Sequence, residues 1–225
     1  MNEVVISGVV SQVQERGKVL EITLVGKPHQ GAFFRVRLKA FGKVKEALQG
    51  TLKEGEAVGV LGSLIARERE GKPSEFEVAV RKTVKLEDGA GAVKENQRGP
   101  YLEGAVNQVL LGGYLGKDPD LRYIPIPASE GEEPGAIALL HARVAARAGD
   151  RTVWVTVKAW GETAEAAADA LKKGSFVVLR GRYRLESYEK DGEKVFRPVV
   201  IAEEFLLQGR NGKAEVEEGE DDLPF

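Results

Sequence analysis

Residues 153–184 read VWVTVKAWGETAEAAADALKKGSFVVLRGRYR and hold a strand, a helix and a second strand in that order. In the opening eight residues, apolar Val153, Val155, Val157 and Ala159 alternate with Trp154, Thr156, Lys158 and Trp160. That period of two marks a strand with one buried face. Residues 162–173, ETAEAAADALKK, are rich in alanine, the strongest helix former, and Gly174 stops them. Phe176–Tyr188 then returns to β-branched and aromatic residues and reads as the next strand.

The same order occurs earlier in the chain. Lys39-Ala40-Phe41-Gly42 matches Lys158-Ala159-Trp160-Gly161, and Gly62 matches Gly181, at an offset of 119. Nearer the start, Asn2 matches Asn107 and Gly8 matches Gly113, at an offset of 105. The difference of 14 is an insertion in the second copy around Ile124–Gly135, IPIPASEGEEPG, whose composition predicts an exposed loop. Strands are expected at Val4–Val10, Val19–Val25, Phe33–Phe41, Ala57–Arg69 and Glu75–Leu86, with a helix over Lys43–Lys53. In the second copy they are expected at Val109–Leu115, Ala138–Ala145, Thr152–Trp160, Phe176–Tyr188 and Val195–Leu207, with a helix over Glu162–Lys173. Five strands with one helix between the third and fourth are the order of the OB-fold, a small Greek-key barrel. The chain is thus expected to be mainly β: one OB-fold over 1–86, a linker over 87–104, a second OB-fold over 105–210 and an acidic tail over 211–225.

Charge follows the same division. The 225 residues carry a formal net charge of −2. Taken by segment, the net charge is +5 over 1–86, −2 over 87–104, 0 over 105–210 and −5 over 211–225. The tail NGKAEVEEGEDDLPF has almost no apolar content before its final three residues and is expected to be disordered.

The third strand of each copy carries the functional signal. In copy one the outward row is Arg35, Arg37, Lys39 and Phe41; in copy two it is Trp154, Thr156, Lys158 and Trp160. Solvation alone accounts for the cations, but not for two outward tryptophans, the only two in the chain. Single-stranded nucleic acid matches this mixture. Cations follow its phosphates, and ring faces stack its bases at ~1–3 kcal/mol each. Arg182, Arg184 and Tyr188 continue the pattern in copy two, as Arg67 and Arg69 do in copy one.

Copy two resembles the bacterial single-stranded DNA-binding protein family. The matching stretches are VNQVLLGGYLGKDPDLRYIP (106–125), VWVTVKAWGETAE (153–165), LKKGSFVVLRGRYR (171–184) and the terminal DDLPF (221–225). Two OB domains in one chain look like the two-domain variant of this family. The resemblance implies sequence-tolerant binding of single-stranded DNA, with Trp154, Trp160 and Tyr188 at base-stacking positions. The copy-one equivalents are Arg35, Phe41 and Arg69, so of these only Phe41 keeps a ring. Phosphate contacts are expected from Arg35, Arg37, Lys39, Arg69, Arg122, Lys158, Arg182 and Arg184. The tip Asp221-Asp222-Leu223-Pro224-Phe225 is expected to dock replication, recombination and repair proteins, its apolar plug and acids fitting a pocket ringed by cations. The resemblance further implies a homodimer presenting four OB domains, and a cytoplasmic, nucleoid-associated location.

Other classes fare worse. With no cysteine, disulfides, zinc knuckles and iron–sulfur clusters are excluded. No run of eighteen apolar residues is present, and MNEVVISGVV does not read as a signal peptide. His29 and His141 lie in different copies, and no nucleophile, base and orienter assemble, so neither enzyme nor cofactor is expected. Two alternatives remain at this level: an OB-fold assembly module whose tryptophans are buried between subunits, and an RNA-binding OB protein.

Overall fold

The computed structural model describes residues 1–67, 75–87, 92–127, 135–190 and 192–209. Arg69 and the whole tail, with Asp221–Phe225, lie outside the described residues. In chain order the elements are β1 (Asn2–Arg16), β2 (Val19–Lys27), β3 (Phe34–Phe41), α1 (Gly42–Leu48), β4 (Ala57–Arg67) and β5 (Glu75–Lys85). Next come β6 (Ala92–Asn96), β7 (Gly99–Glu103), β8 (Asn107–Leu115), β9 (Asp120–Ile126) and β10 (Gly135–Ala148). The chain continues through β11 (Arg151–Trp160), α2 (Gly161–Ala170), β12 (Phe176–Lys190) and β13 (Glu193–Gly209).

Each copy closes into a barrel. The first runs β1-β2-β3-β5-β4 and back to β1, the second β8-β10-β11-β13-β12 and back to β8. Both have one parallel contact, β3 with β5 and β11 with β13. This is the OB-fold connectivity, twice. The alternating strands bury their apolar rows: Val36, Leu38 and Ala40 in β3, and Val153, Val155, Val157 and Ala159 in β11, are fully inaccessible.

The residues that matched between copies sit where the barrels leave no choice. A Cβ on Gly113 would lie 2.3 Å from the Ala145 carbonyl oxygen, and one on Gly8 3.0 Å from that of Val25. At Gly62 and Gly181 it would lie 2.4 Å and 2.2 Å from the oxygens of Ala79 and Ile201. Register shifts occur at both of these glycines, so each marks a bulge that bends the fourth strand around its barrel. The matched asparagines fasten the start of the first strand to the fourth. Asn107 donates from Nδ2 to the Tyr183 carbonyl at 2.9 Å and accepts from the Tyr183 N–H at 2.9 Å. Asn2 does the same to Leu64, both at 2.8 Å. The side-chain amide places a donor and an acceptor side by side on two atoms, as this double contact requires.

The two barrels share one sheet because β1 pairs antiparallel with β8. The register puts Asn2 opposite Leu111, Val4 opposite Val109 and Ile6 opposite Asn107. Val4 and Val109 are equivalent residues of the two copies, so exchanging the copies maps the pairing onto itself. A local two-fold axis therefore passes through this pair, as in an isologous dimer interface.

Three expectations change. The stretch read as a linker holds the hairpin β6–β7, and β7 pairs in parallel with the end of β2. Its signal was present: Arg98 N–H donates to Asn96 Oδ1 at 2.7 Å, and Gly99 takes a φ of 104°. The insertion expected as a loop begins inside a strand, for β9 pairs with β10 from Asp120–His141 to Ile126–Gly135. Pro125 is tolerated there because β9 is the last strand of the sheet. Both helices end early. α2 stops at Ala170 because Leu171 turns extended to bury its side chain, and α1 ends before Gly50, which has a φ of 76°.

Gly181→Ala is expected to lower stability by about 1–3 kcal/mol through overpacking against Ile201. Gly135→Ala, where a Cβ meets nothing within 4 Å, is expected to stay within about 0.5 kcal/mol. Urea denaturation of the two variants checks this, and equal midpoints would contradict it.

Candidate nucleic-acid interface

On β11 the outward row stands against a matching row on β10. Trp154 lies opposite Ala145, Thr156 opposite Arg143, Lys158 opposite His141 and Trp160 opposite Leu139. β9 adds Asp120 beside His141 and Arg122 beside Leu139. Trp154 is 38% exposed and Trp160 36%. Six residues at ~3.3 Å each set the two rings ~20 Å apart along the strand.

Trp154 is held in place. The Arg143 guanidinium lies over its ring, 5.8 Å from the centroid. On another side the ring rests against Gly116, where a Cβ would come within 2.5 Å of Trp154 Cζ3. Tyr188, on β12, is exposed, as is Arg184 on the same side of the strand.

Domain one carries the counterpart row on β3. Arg35 and Arg37 are exposed and make no ion pair among the described residues, and Phe41 is exposed at the end of the row. Lys39 is different. It lies 2.8 Å from Glu77 and 3.7 Å from Glu21, and Glu77 also meets Arg67 at 3.1 Å. Lys158, its equivalent in domain two, is 2.6 Å from Glu186. Arg122 meets Asp120 at 2.6 Å and Arg182 meets Glu203 at 3.5 Å. Among the described residues, the expected phosphate contacts thus fall into two sets. Arg35, Arg37 and Arg184 present an uncompensated charge, while Lys39, Lys158, Arg122 and Arg182 each face a carboxylate.

Several residues of the surface went unnoticed in the sequence. Arg143 and His141 stand between the tryptophans, and the alternation of β10 was the signal for them. Tyr114, 49% exposed, meets Phe176 edge-on at 5.0 Å. His141 is held below the usual histidine pKa, first by partial burial and then by the nearby positive charges of Lys158, Lys117 and Arg197, which outweigh Asp120. Among the described residues no group of three His, Asp or Glu is placed to hold a metal ion. No helix there is long and apolar enough to cross a membrane.

A family model described as the single-strand binding protein family matches residues 106–208, which hold this row and both tryptophans. A single-stranded DNA-binding protein of Neisseria meningitidis is 35% identical over 120 residues, covering 51% of this chain and 69% of its own. The chain belongs to the single-strand binding protein family. A single-stranded DNA-binding protein of Thermus thermophilus is 37% identical over 185 residues, 79% of this chain, and the alignment spans 66% of that relative. That match reaches well beyond the second barrel, in keeping with a two-barrel form of the family. The crystal structure of the wild-type single-stranded DNA binding protein from Thermus aquaticus superposes with a TM-score of 0.70 at 24% identity, covering 97% of each chain. That likeness is one of fold. Relatives in this family are named for binding rather than for catalysis, in line with a non-enzymatic chain.

Gly116→Ala is expected to push the Trp154 ring away from the backbone and open it to solvent. In a Trp160→Phe background, acrylamide quenching of the remaining tryptophan should rise. Unchanged quenching would show that Gly116 does not seat the ring.

Proposed function

We propose that this chain binds single-stranded DNA with little sequence preference along the outer faces of β11 and β3. The observation that carries the reading is the partly exposed pair Trp154 and Trp160, standing at the two ends of one row with Lys158 between them and Arg143 beside it on β10. Membership of the single-strand binding protein family supports it. Trp154, Trp160, Tyr188 and Phe41 stack bases, and every base has a face to stack. Arg35, Arg37 and Arg184 take phosphates directly. Lys39, Lys158, Arg122 and Arg182 must first exchange a carboxylate for a phosphate, so their net contribution is smaller. Domain two binds mainly through rings and domain one mainly through charge.

Trp154→Ala is expected to weaken oligo(dT) binding roughly five- to 150-fold, by the stacking magnitude of ~1–3 kcal/mol, with little change in salt dependence. Arg37→Ala is expected to reduce the slope of log K against log salt by ~0.7, the single-strand value for one phosphate. Titrations over a salt series check both. A larger slope change for Trp154→Ala than for Arg37→Ala would contradict the division. Competition with a matched RNA oligomer tests the choice of sugar.

The central sheet suits a second copy of the chain. On its outward side Val5, 38% exposed, stands opposite Leu61, 43% exposed, and Leu110 stands opposite Glu3. Arg81–Glu3 and Arg180–Glu204 pairs lie on the same face. Two chains joined here would present four barrels in the cytoplasm. Sedimentation should give the mass of two 24.4-kDa chains, and Leu61→Glu should halve it. A wild-type mass of one chain would contradict the dimer. The tip Asp221–Phe225 recruits replication, recombination and repair proteins. A chain ending at Glu220 should keep its oligo(dT) affinity and lose their co-purification, and retained co-purification would contradict the role.

A further inference from the structure

The outward row of domain one starts one residue before β3. Side chains alternate, so Phe33 shares the side of Arg35, Arg37 and Phe41, while Phe34 is buried in the core. Phe33 is 49% exposed. It is nevertheless firmly placed. Tyr101 of β7 meets it edge-on, with ring centroids 4.8 Å apart and planes at 78°. Lys27 Nζ lies 5.5 Å from its centroid. Tyr101 is itself buried, because β7 pairs with the end of β2, placing Gly26 opposite Leu102 and Lys27 opposite Glu103, and Leu102 is fully inaccessible. The hairpin between the barrels thus buttresses a single outward ring.

We propose that Phe33 is a base-stacking platform of domain one, and that the β6–β7 hairpin holds it in position through Tyr101. This rests on the single-stranded DNA reading above and extends it to a ring outside the expected set. The two rows then have the same plan. In domain two, rings at 154 and 160 bracket Thr156 and Lys158. In domain one, rings at 33 and 41 bracket Arg35, Arg37 and Lys39. Arg35 occupies the position equivalent to Trp154, and Phe33 supplies a ring one outward position earlier. Arg35 takes the phosphate next to the stacked base. A phenylalanine that served only to pack the loop would be expected to turn inward. Here the buried tyrosine supports the exposed ring and leaves aromatic surface facing solvent. A platform has that arrangement: edge-to-face contact fixes a ring while sparing a face for stacking.

Phe33→Trp in a chain carrying Trp154→Phe and Trp160→Phe reports on the site directly. Oligo(dT) long enough to cover both domains should quench this single tryptophan strongly. Phe33→Ala in the otherwise intact chain should weaken binding of the same oligomer roughly 5- to 150-fold, the range for losing one stacked base, without changing its salt slope. Tyr101→Ala should reproduce part of that loss and Tyr101→Phe should restore it, since the contact is made between the two rings. The proposal is overturned if saturating oligo(dT) leaves the emission of the Phe33→Trp reporter unmoved while quenching Trp154 and Trp160 in the intact chain. Absence of quenching in the intact chain would instead remove the single-stranded DNA reading itself.

Discussion

The antiparallel pairing of β1 with β8, centred on Val4 and Val109, is the contact on which the rest of the architecture depends. It makes two barrels into one continuous sheet and relates them by a local two-fold axis. Ser7 locks the end of the pairing, accepting at Oγ from Val106 N–H at 2.8 Å while its own N–H donates to the Val106 carbonyl at 2.9 Å. With this register set, the third strand of each barrel packs near the fourth strand of the other, and Phe76 of β5 meets Tyr183 of β12 edge-on at 6.3 Å. Tyr183 is buried there, and burial raises the pKa of its phenol well above the usual tyrosine value. The junction is therefore packed rather than hinged, and the two outward rows are held in a defined relation to each other.

Net charge alone would have argued against a nucleic-acid partner. The structure explains why it is a poor guide here. Much of the positive charge near the rows is matched by carboxylates, as in Lys39 with Glu77 and Lys158 with Glu186. These pairs are partly sheltered, with both lysine side chains only about one-fifth exposed. On the proposed reading, an incoming phosphate would compete with a carboxylate already in place, weakening the electrostatic part of binding and leaving more of it to the rings. Affinity built this way loses less with rising salt than a surface of free cations would.

Much of the fold was legible because the constraints that shape a barrel act on single residues. Gly8, Gly62, Gly113 and Gly181 repeat because strands cross too closely for a Cβ, and Asn2 and Asn107 repeat because each bridges a backbone amide and carbonyl. The exposure of Trp154 and Trp160 followed from alternation alone. What stayed hidden depends on pairing between distant segments. β9 was masked by Pro125, which only an edge strand accepts. The hairpin β6–β7 was masked by Gly99, Pro100 and mixed charge, though its turn was written in Asn96 and Gly99. Neither Lys39 with Glu77 nor Lys158 with Glu186 is adjacent in sequence, so a row of apparent free cations was in part a row of ion pairs. Phe33 opened the strand expected at Phe33–Phe41, but the outward row was read only from Arg35, and its support by Tyr101 depends on the unread hairpin.

Intrinsic tryptophan fluorescence gives the most direct test, since the only two tryptophans lie on the proposed binding face. Titration of the intact chain with oligo(dT), at a salt concentration high enough to suppress purely electrostatic association, should quench that emission strongly and saturably. Emission that stays unchanged while the oligomer binds, or an absence of binding, would contradict base stacking on this face.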